Sequence, residues 1–169
     1  MPLSLNYKFL LTVSTVSAAA TTVLSIAIAQ TIWYSYEHIP LFGRNSIASF
    51  LTSASMVYCY AITFMVTKAT RNAVRAQQIF PLRWHLKNQT LIDQLSSHTA
   101  HRAFILGIAG SLMSALTIYL LSLKNYHVFN YQQLAAFSVA YFVLLSSSVA
   151  VVAAYRAMGD DVLKQVKVP

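Results

Sequence analysis

The residues able to do chemistry are few, and all but the one cysteine lie outside the long apolar runs of the chain. There are five histidines (His38, His85, His98, His101 and His127), four acids (Glu37, Asp93, Asp160 and Asp161) and one cysteine, Cys59. His98 and His101 stand three apart, on one face if their segment is helical. With Asp93 as a third ligand they would outline a metal site, but His-x-x-His alone is a weak signal and polar contact is the plainer reading. On the other side of the chain His38, Glu37 and His127 would converge only if two loop tips meet. Cys59 sits in the middle of an apolar run, so it reads as a small packed residue, and a lone cysteine excludes an intrachain disulfide or a thiolate cage. No glycine-rich phosphate loop and no Gly-x-Ser-x-Gly elbow occurs. The expectation is no catalytic residue, no metal and no cofactor.

What must position these groups is a membrane domain. Hydrophobic residues make up 57% of the 169 residues and charged ones only 9%. A soluble domain carries about 25% charge, so this chain has too little to cover a surface facing water. Four apolar runs follow, approximately 9–33, 46–67, 103–123 and 134–155. Each exceeds or approaches the roughly 20 residues that a helix needs to cross about 30 Å of hydrocarbon. The first is too long for the core of a signal peptide and reads as an uncleaved transmembrane helix. Trp33, Tyr34 and Tyr36 at its end suit the headgroup level. The fold class is therefore all-α: a polytopic membrane protein with residues 1–169 as one domain. Its four helices would form two hairpins joined by a basic cytoplasmic loop, 68–102.

Orientation follows from counting. With the termini and 68–102 on one side, that side holds Lys8, Lys68, Arg71, Arg75, Arg83, Lys87, Arg102, Arg156, Lys164 and Lys167; the other holds Arg44 and Lys124. This bias places both termini inside, in a bacterial cytoplasmic membrane, and accounts for the net charge of +8 without a nucleic-acid partner. Within the loop, the second helix is expected to continue to Ile79 and stop at Pro81. Phe80, Leu82 and Trp84 alternate with Pro81, Arg83 and His85 as an amphipathic turn at anionic headgroups. A further helix, capped by Asn88 or Thr90, would start at Leu91 and run directly into the third span. Arg71, Arg75, Arg83, Trp84 and Lys87 are the candidate contacts to lipid or to an acidic partner.

Small residues recur at helical spacing in every span. Gly107, Ser111 and Ala115 do so in the third, Ser146, Ala150 and Ala154 in the fourth, Ser14, Ala18 and Thr22 in the first, and Asn45, Ser49 and Ser53 in the second. Such stripes let helix backbones approach. Ser146, Ser147 and Ser148 are expected to bond their own backbone. The two hairpins resemble each other weakly: each starts with a basic residue and a phenylalanine, and each outer loop pairs tyrosine with histidine. A repeat of this kind has its axis along the membrane normal. The apolar runs hold no Asp, Glu, Lys, Arg or His, which counts against proton-coupled carriers, voltage sensors and haem held by span histidines. The resulting expectation is a non-catalytic subunit or assembly factor of a larger membrane complex, in contact with lipids including anionic headgroups and with other subunits or copies of itself. An oligomeric small-solute channel is the alternative, and a membrane enzyme with loop-borne His and Asp the second.

Overall fold

In the computed structural model the described residues are 4–36, 38–43, 46–80, 95–126 and 128–165, with backbone alone for 161–165. Four helices carry the fold: α1 (Leu5–Trp33), α2 (Ile47–Arg75), α3 (Thr99–Leu123) and α4 (Tyr131–Gln165). All four contain a stretch long and apolar enough to cross a membrane. The 29 residues of α1 or α2 are about 43 Å long, so these helices overrun the hydrocarbon by roughly two turns.

The helix ends follow local chemistry. Ser4 caps α1, accepting from the Tyr7 amide, and Ser46 caps α2, accepting from the Ser49 amide. α2 stops at Arg75, four residues before the expected Ile79. The Gln78 amide donates to Ala73 O and the Gln77 amide to Val74 O, with Gln77 at φ 55°. This is a Schellman closure, with glutamine in the left-handed place that glycine usually takes. The turn it makes buries Ile79 against Ala73 and Met158. α3 ends the same way around Asn125, at φ 58°.

The expected hairpins do not pack on themselves. α1 lies along α4, α4 along α2 and α2 along α3, while α1 and α2 scarcely touch. The spatial order is thus 1-4-2-3. It reads the same when the two halves of the chain are exchanged, as a repeat about an axis along the membrane normal requires. The seams match as well. Thr21 Oγ1 donates to Ser146 Oγ across α1–α4 at 3.1 Å, and Ser114 Oγ donates to Thr52 Oγ1 across α3–α2 at 3.2 Å. The loops after α1 and α3 cross between the halves: β1 (Ile39–Pro40) pairs antiparallel with β2 (Val128–Phe129), Ile39 opposite Phe129. The loop tips therefore do meet, although Glu37 and His127 lie outside the described residues.

Lipid tails are as apolar as leucine, so close approach rather than water exclusion must hold the helices together. The seams show where. On α4, Ser146, Ala150 and Ala154 are buried as their spacing predicts, together with Ala153 and Ala157. On α3 the seam is Ala103, Gly107, Gly110, Ser114 and Ile118. Of the stripe expected there, only Gly107 is fully buried; Ser111 is half-buried and Ala115 faces outward. Ser14, Ala18 and Thr22 are half-buried beside the true α1 seam of Thr21, Ser25, Ala29 and Trp33, and Ser49 and Ser53 are exposed. Asn45 lies outside the described residues. In a helix without charges, neighbouring stripes of small residues are equivalent by composition, and the partner decides between them.

Trp33 also departs from expectation. It is 1% exposed and stands edge-on to Phe50 at 5.1 Å, while Tyr34 and Tyr36 are the exposed rings. Phe50 in turn meets Phe142, and Phe142 meets Tyr58. This chain of edge-to-face contacts joins α1, α2 and α4.

Gly110 makes the tightest seam. A Cβ there would fall 2.5 Å from Cys59 Sγ and 3.2 Å from Ser55 O. Gly110→Ala should therefore cost about 1–3 kcal/mol as overpacking. Cys59→Ala in the same chain should recover part of that loss by removing the sulfur. Thermal unfolding of the two single variants and the double variant in detergent measures the coupling, and strictly additive effects would contradict this contact.

Candidate functional site

The one concentrated set of charges among the described residues lies where α2 ends, α3 begins and α4 ends. Arg102 is the fourth residue of α3, and Arg156 and Asp160 stand one turn apart on α4. Arg71 is in the last turns of α2. All three guanidiniums converge on one carboxylate. Arg71 Nη2 and Arg102 Nη2 donate to Asp160 Oδ2 at 2.8 and 2.5 Å, and Arg156 Nη1 donates to Oδ1 at 2.8 Å. The side chains of Arg102, Asp160 and Arg156 are 0%, 4% and 6% exposed, and that of Arg71 is 25% exposed.

Each arginine also takes one backbone carbonyl from the segment before α3. Arg156 Nε donates to Leu95 O at 3.0 Å, Arg102 Nε to Ser96 O at 3.1 Å and Arg71 Nη2 to Ser97 O at 2.8 Å. Arg71 Nη1 adds a bond to Thr99 Oγ1. Three successive carbonyls are thus turned inward and held by three side chains from three helices. This explains the departure from the expected continuous helix into α3. Residues 95–97 are not helical, because their carbonyls face the arginines rather than amides four residues on, whereas His98 O accepts from the Arg102 amide. Helix α3 starts only at Thr99, with His98 extended before it. The proposed helix start at Leu91 and its caps Asn88 and Thr90 lie outside the described residues.

A guanidinium cannot shed its proton to escape burial, so each must find acceptors where it stands. One carboxylate and three carbonyls supply most of them. The knot still holds three positive charges against one negative. Arg102 Nη1 is buried with no hydrogen-bond partner among the described residues.

The residues expected to meet lipid or a partner divide. Arg71 turns inward as part of the knot. Arg75, one turn on, is exposed. Arg83, Trp84 and Lys87 lie outside the described residues. Asp160, Arg102 and Arg156 were not singled out as a set from the sequence. The signal available was the four-residue spacing of Arg156 and Asp160, with one acid amid a basic excess. Elsewhere, His98 and His101 are exposed. No group of three His, Cys, Asp or Glu residues is placed to hold a metal ion among the described residues. At the same end of the molecule, Asn6 joins α1 to the turn after α2. Its side chain donates to Phe80 O at 3.0 Å and accepts from the Phe80 amide at 2.9 Å.

Inside the spans many of the hydroxyls are spent locally. Thr12, Thr15, Thr22, Thr31, Ser53, Thr63, Ser111, Thr117 and Ser148 each donate to a carbonyl four residues back. Ser146 donates to Val143 O. Two grooves run along opposite faces of the helix array and are apolar. One, of about 340 Å³, lies between α1 and α2 beside Ser17, Ala20, Ala61 and Met65. The other, of about 360 Å³, lies between α3 and α4 beside Ala109, Met113, Leu144 and Ser148. Exchange of the two halves carries one groove onto the other.

Comparison with family models, curated proteins and solved structures returned no match.

The role of Arg71 in ordering the 95–99 segment is testable by hydrogen exchange. Arg71→Gln should raise amide exchange across residues 95–101 by about tenfold or more, as the loss of two charge-assisted bonds implies. Arg75→Gln, on an exposed side chain, should leave it unchanged. Equal exchange in the two variants would contradict this assignment.

Proposed function

We propose that the protein is a non-catalytic subunit or assembly factor of a larger membrane complex. In this reading it lies in a bacterial cytoplasmic membrane with both termini and the 68–102 loop inside. The observation that carries the proposal is the open helix order. In a closed bundle α1 would return to α3. Here those two helices stand at opposite flanks, and only 11% of the apolar window of α1 and 22% of that of α3 is buried. Small residues line the groove beside α1, and such faces suit a second helix at close range. Tightly knotted charges at one end and paired loops at the other give the array a fixed shape to present.

The orientation is supported by the ten-to-two distribution of basic residues and by contacts that gather the start of α1, the end of α2, the start of α3 and the end of α4 at one end. Arg75, with Arg83, Trp84 and Lys87, would then face the inner headgroups or an acidic partner. A hydroxyl-lined channel is the weaker reading, because span hydroxyls bond their own backbones and both grooves are apolar. An enzyme with loop-borne His and Asp gains no support from His98 and His101, which stand exposed.

Two measurements test the proposal. A reporter fused after Gln89 should score cytoplasmic and one after Asn125 extracytoplasmic, and the reverse would overturn the orientation. Tagged chain extracted in mild detergent should carry a defined, stoichiometric set of membrane partners. Ala61→Phe, which fills the α1–α2 groove, should release them at unchanged thermal stability. A chain that purifies alone, or as a homo-oligomer with a wet central pore, would contradict the subunit role.

A further inference from the structure

We infer that the arginine knot is a binding site for a phosphate group, seated against Arg102 Nη1 and the open edge of Arg71. Charge is the first ground. Among the described residues three guanidiniums that cannot be neutralised share one carboxylate, which leaves two positive charges in a largely buried cluster. A phosphate monoester carries close to two negative charges near neutral pH and offers three acceptor oxygens. It matches that excess, where a single further carboxylate would not.

Unused donors are the second ground. Among the described residues four buried side-chain polar atoms have no partner, and three of them are Arg102 Nη1, Thr67 Oγ1 and Thr70 Oγ1. The two threonines lie within the turn of α2 that precedes Arg71. The basic end therefore concentrates unspent hydrogen-bonding capacity, while the rest of the described core is nearly satisfied. Guanidinium forks suit phosphate oxygens in pairs, and the carbonyl clamps on 95–97 already fix the arginines in orientation.

Access and depth are the third. Arg71 is the partly exposed member of the knot, and Lys68 and Arg75 flank it on the same face of α2, both exposed. They form a cationic approach to it. Because the helices overrun the hydrocarbon, this end stands at the level of the headgroup phosphates. The phosphate can accordingly come from a lipid headgroup or from free phosphate in solution.

The site rests on the membrane placement proposed above and not on any partner subunit, so purified full-length chain tests it. The chain is placed in nanodiscs of phosphatidylcholine, with and without phosphatidic acid, and inorganic phosphate is titrated into the first. A rise in unfolding midpoint with inorganic phosphate assigns a free anion; a rise with phosphatidic acid alone assigns a headgroup. Either supports the site, provided that Arg71→Gln weakens the response about tenfold, the equivalent of one charge-assisted hydrogen bond. Lys68→Gln with Arg75→Gln should weaken it less, since the knot stays intact. No rise with either probe would overturn the site, and so would an undiminished rise in Arg71→Gln. Failure to reconstitute into discs at all would overturn the membrane placement, and the site with it, and reads out separately from the midpoint.

Discussion

The structure depends on one carboxylate. Asp160 is the single acceptor that brings Arg71, Arg102 and Arg156 together, and with them the ends of α2, α3 and α4. Buried guanidiniums are tolerable only if paired, and removing the common partner leaves three of them unpaired at once. The same arginines capture the carbonyls of Leu95, Ser96 and Ser97, so the knot also fixes where α3 begins. A cluster of this kind in the hydrocarbon would be very costly. Placed at helix ends that overrun the hydrocarbon, it can set the helix order without a charge in the bilayer core.

Between the knot and the paired loops at the other end, the helices are held by proximity. Alanine on α4 and glycine on α3 let their backbones approach α1 and α2, and one hydroxyl pair bridges each of the two equivalent seams. The exchange of halves that relates these seams also relates the two apolar grooves. An array built this way is thin and open, with α1 and α3 at its flanks. That shape, rather than any reactive constellation, is the ground for the proposed role in assembly.

Much of this was legible in the sequence, and the exceptions have physical causes. The existence of four spanning helices followed from apolar length and charge exclusion, which the bilayer imposes on any chain. The α4 stripe of Ser146, Ala150 and Ala154 falls on buried positions. The phase of the α3 stripe was not legible. Ala115 and Ser114 are equally small, and only the position of α2 selects Ser114. Trp33 was assigned to the headgroups by residue type, but Phe50 and Phe142 make an inner place for it. The knot was hidden because Arg71, Arg102 and Asp160 are far apart in sequence. Arg71 and Arg102 each read singly as a marker of the basic side. The helix stop at Arg75 escaped because glutamine rarely takes a left-handed closing position.

The central claim is that the Asp160 carboxylate organises the three helix ends, and Asp160→Asn tests it most directly because asparagine keeps the shape and removes the charge. Thermal unfolding of the purified protein should show a loss of about 3–5 kcal/mol. Protection of residues 95–99 should fall with it. A variant as stable as the wild-type chain, with that segment still protected, would show that the arginines are held by something other than Asp160.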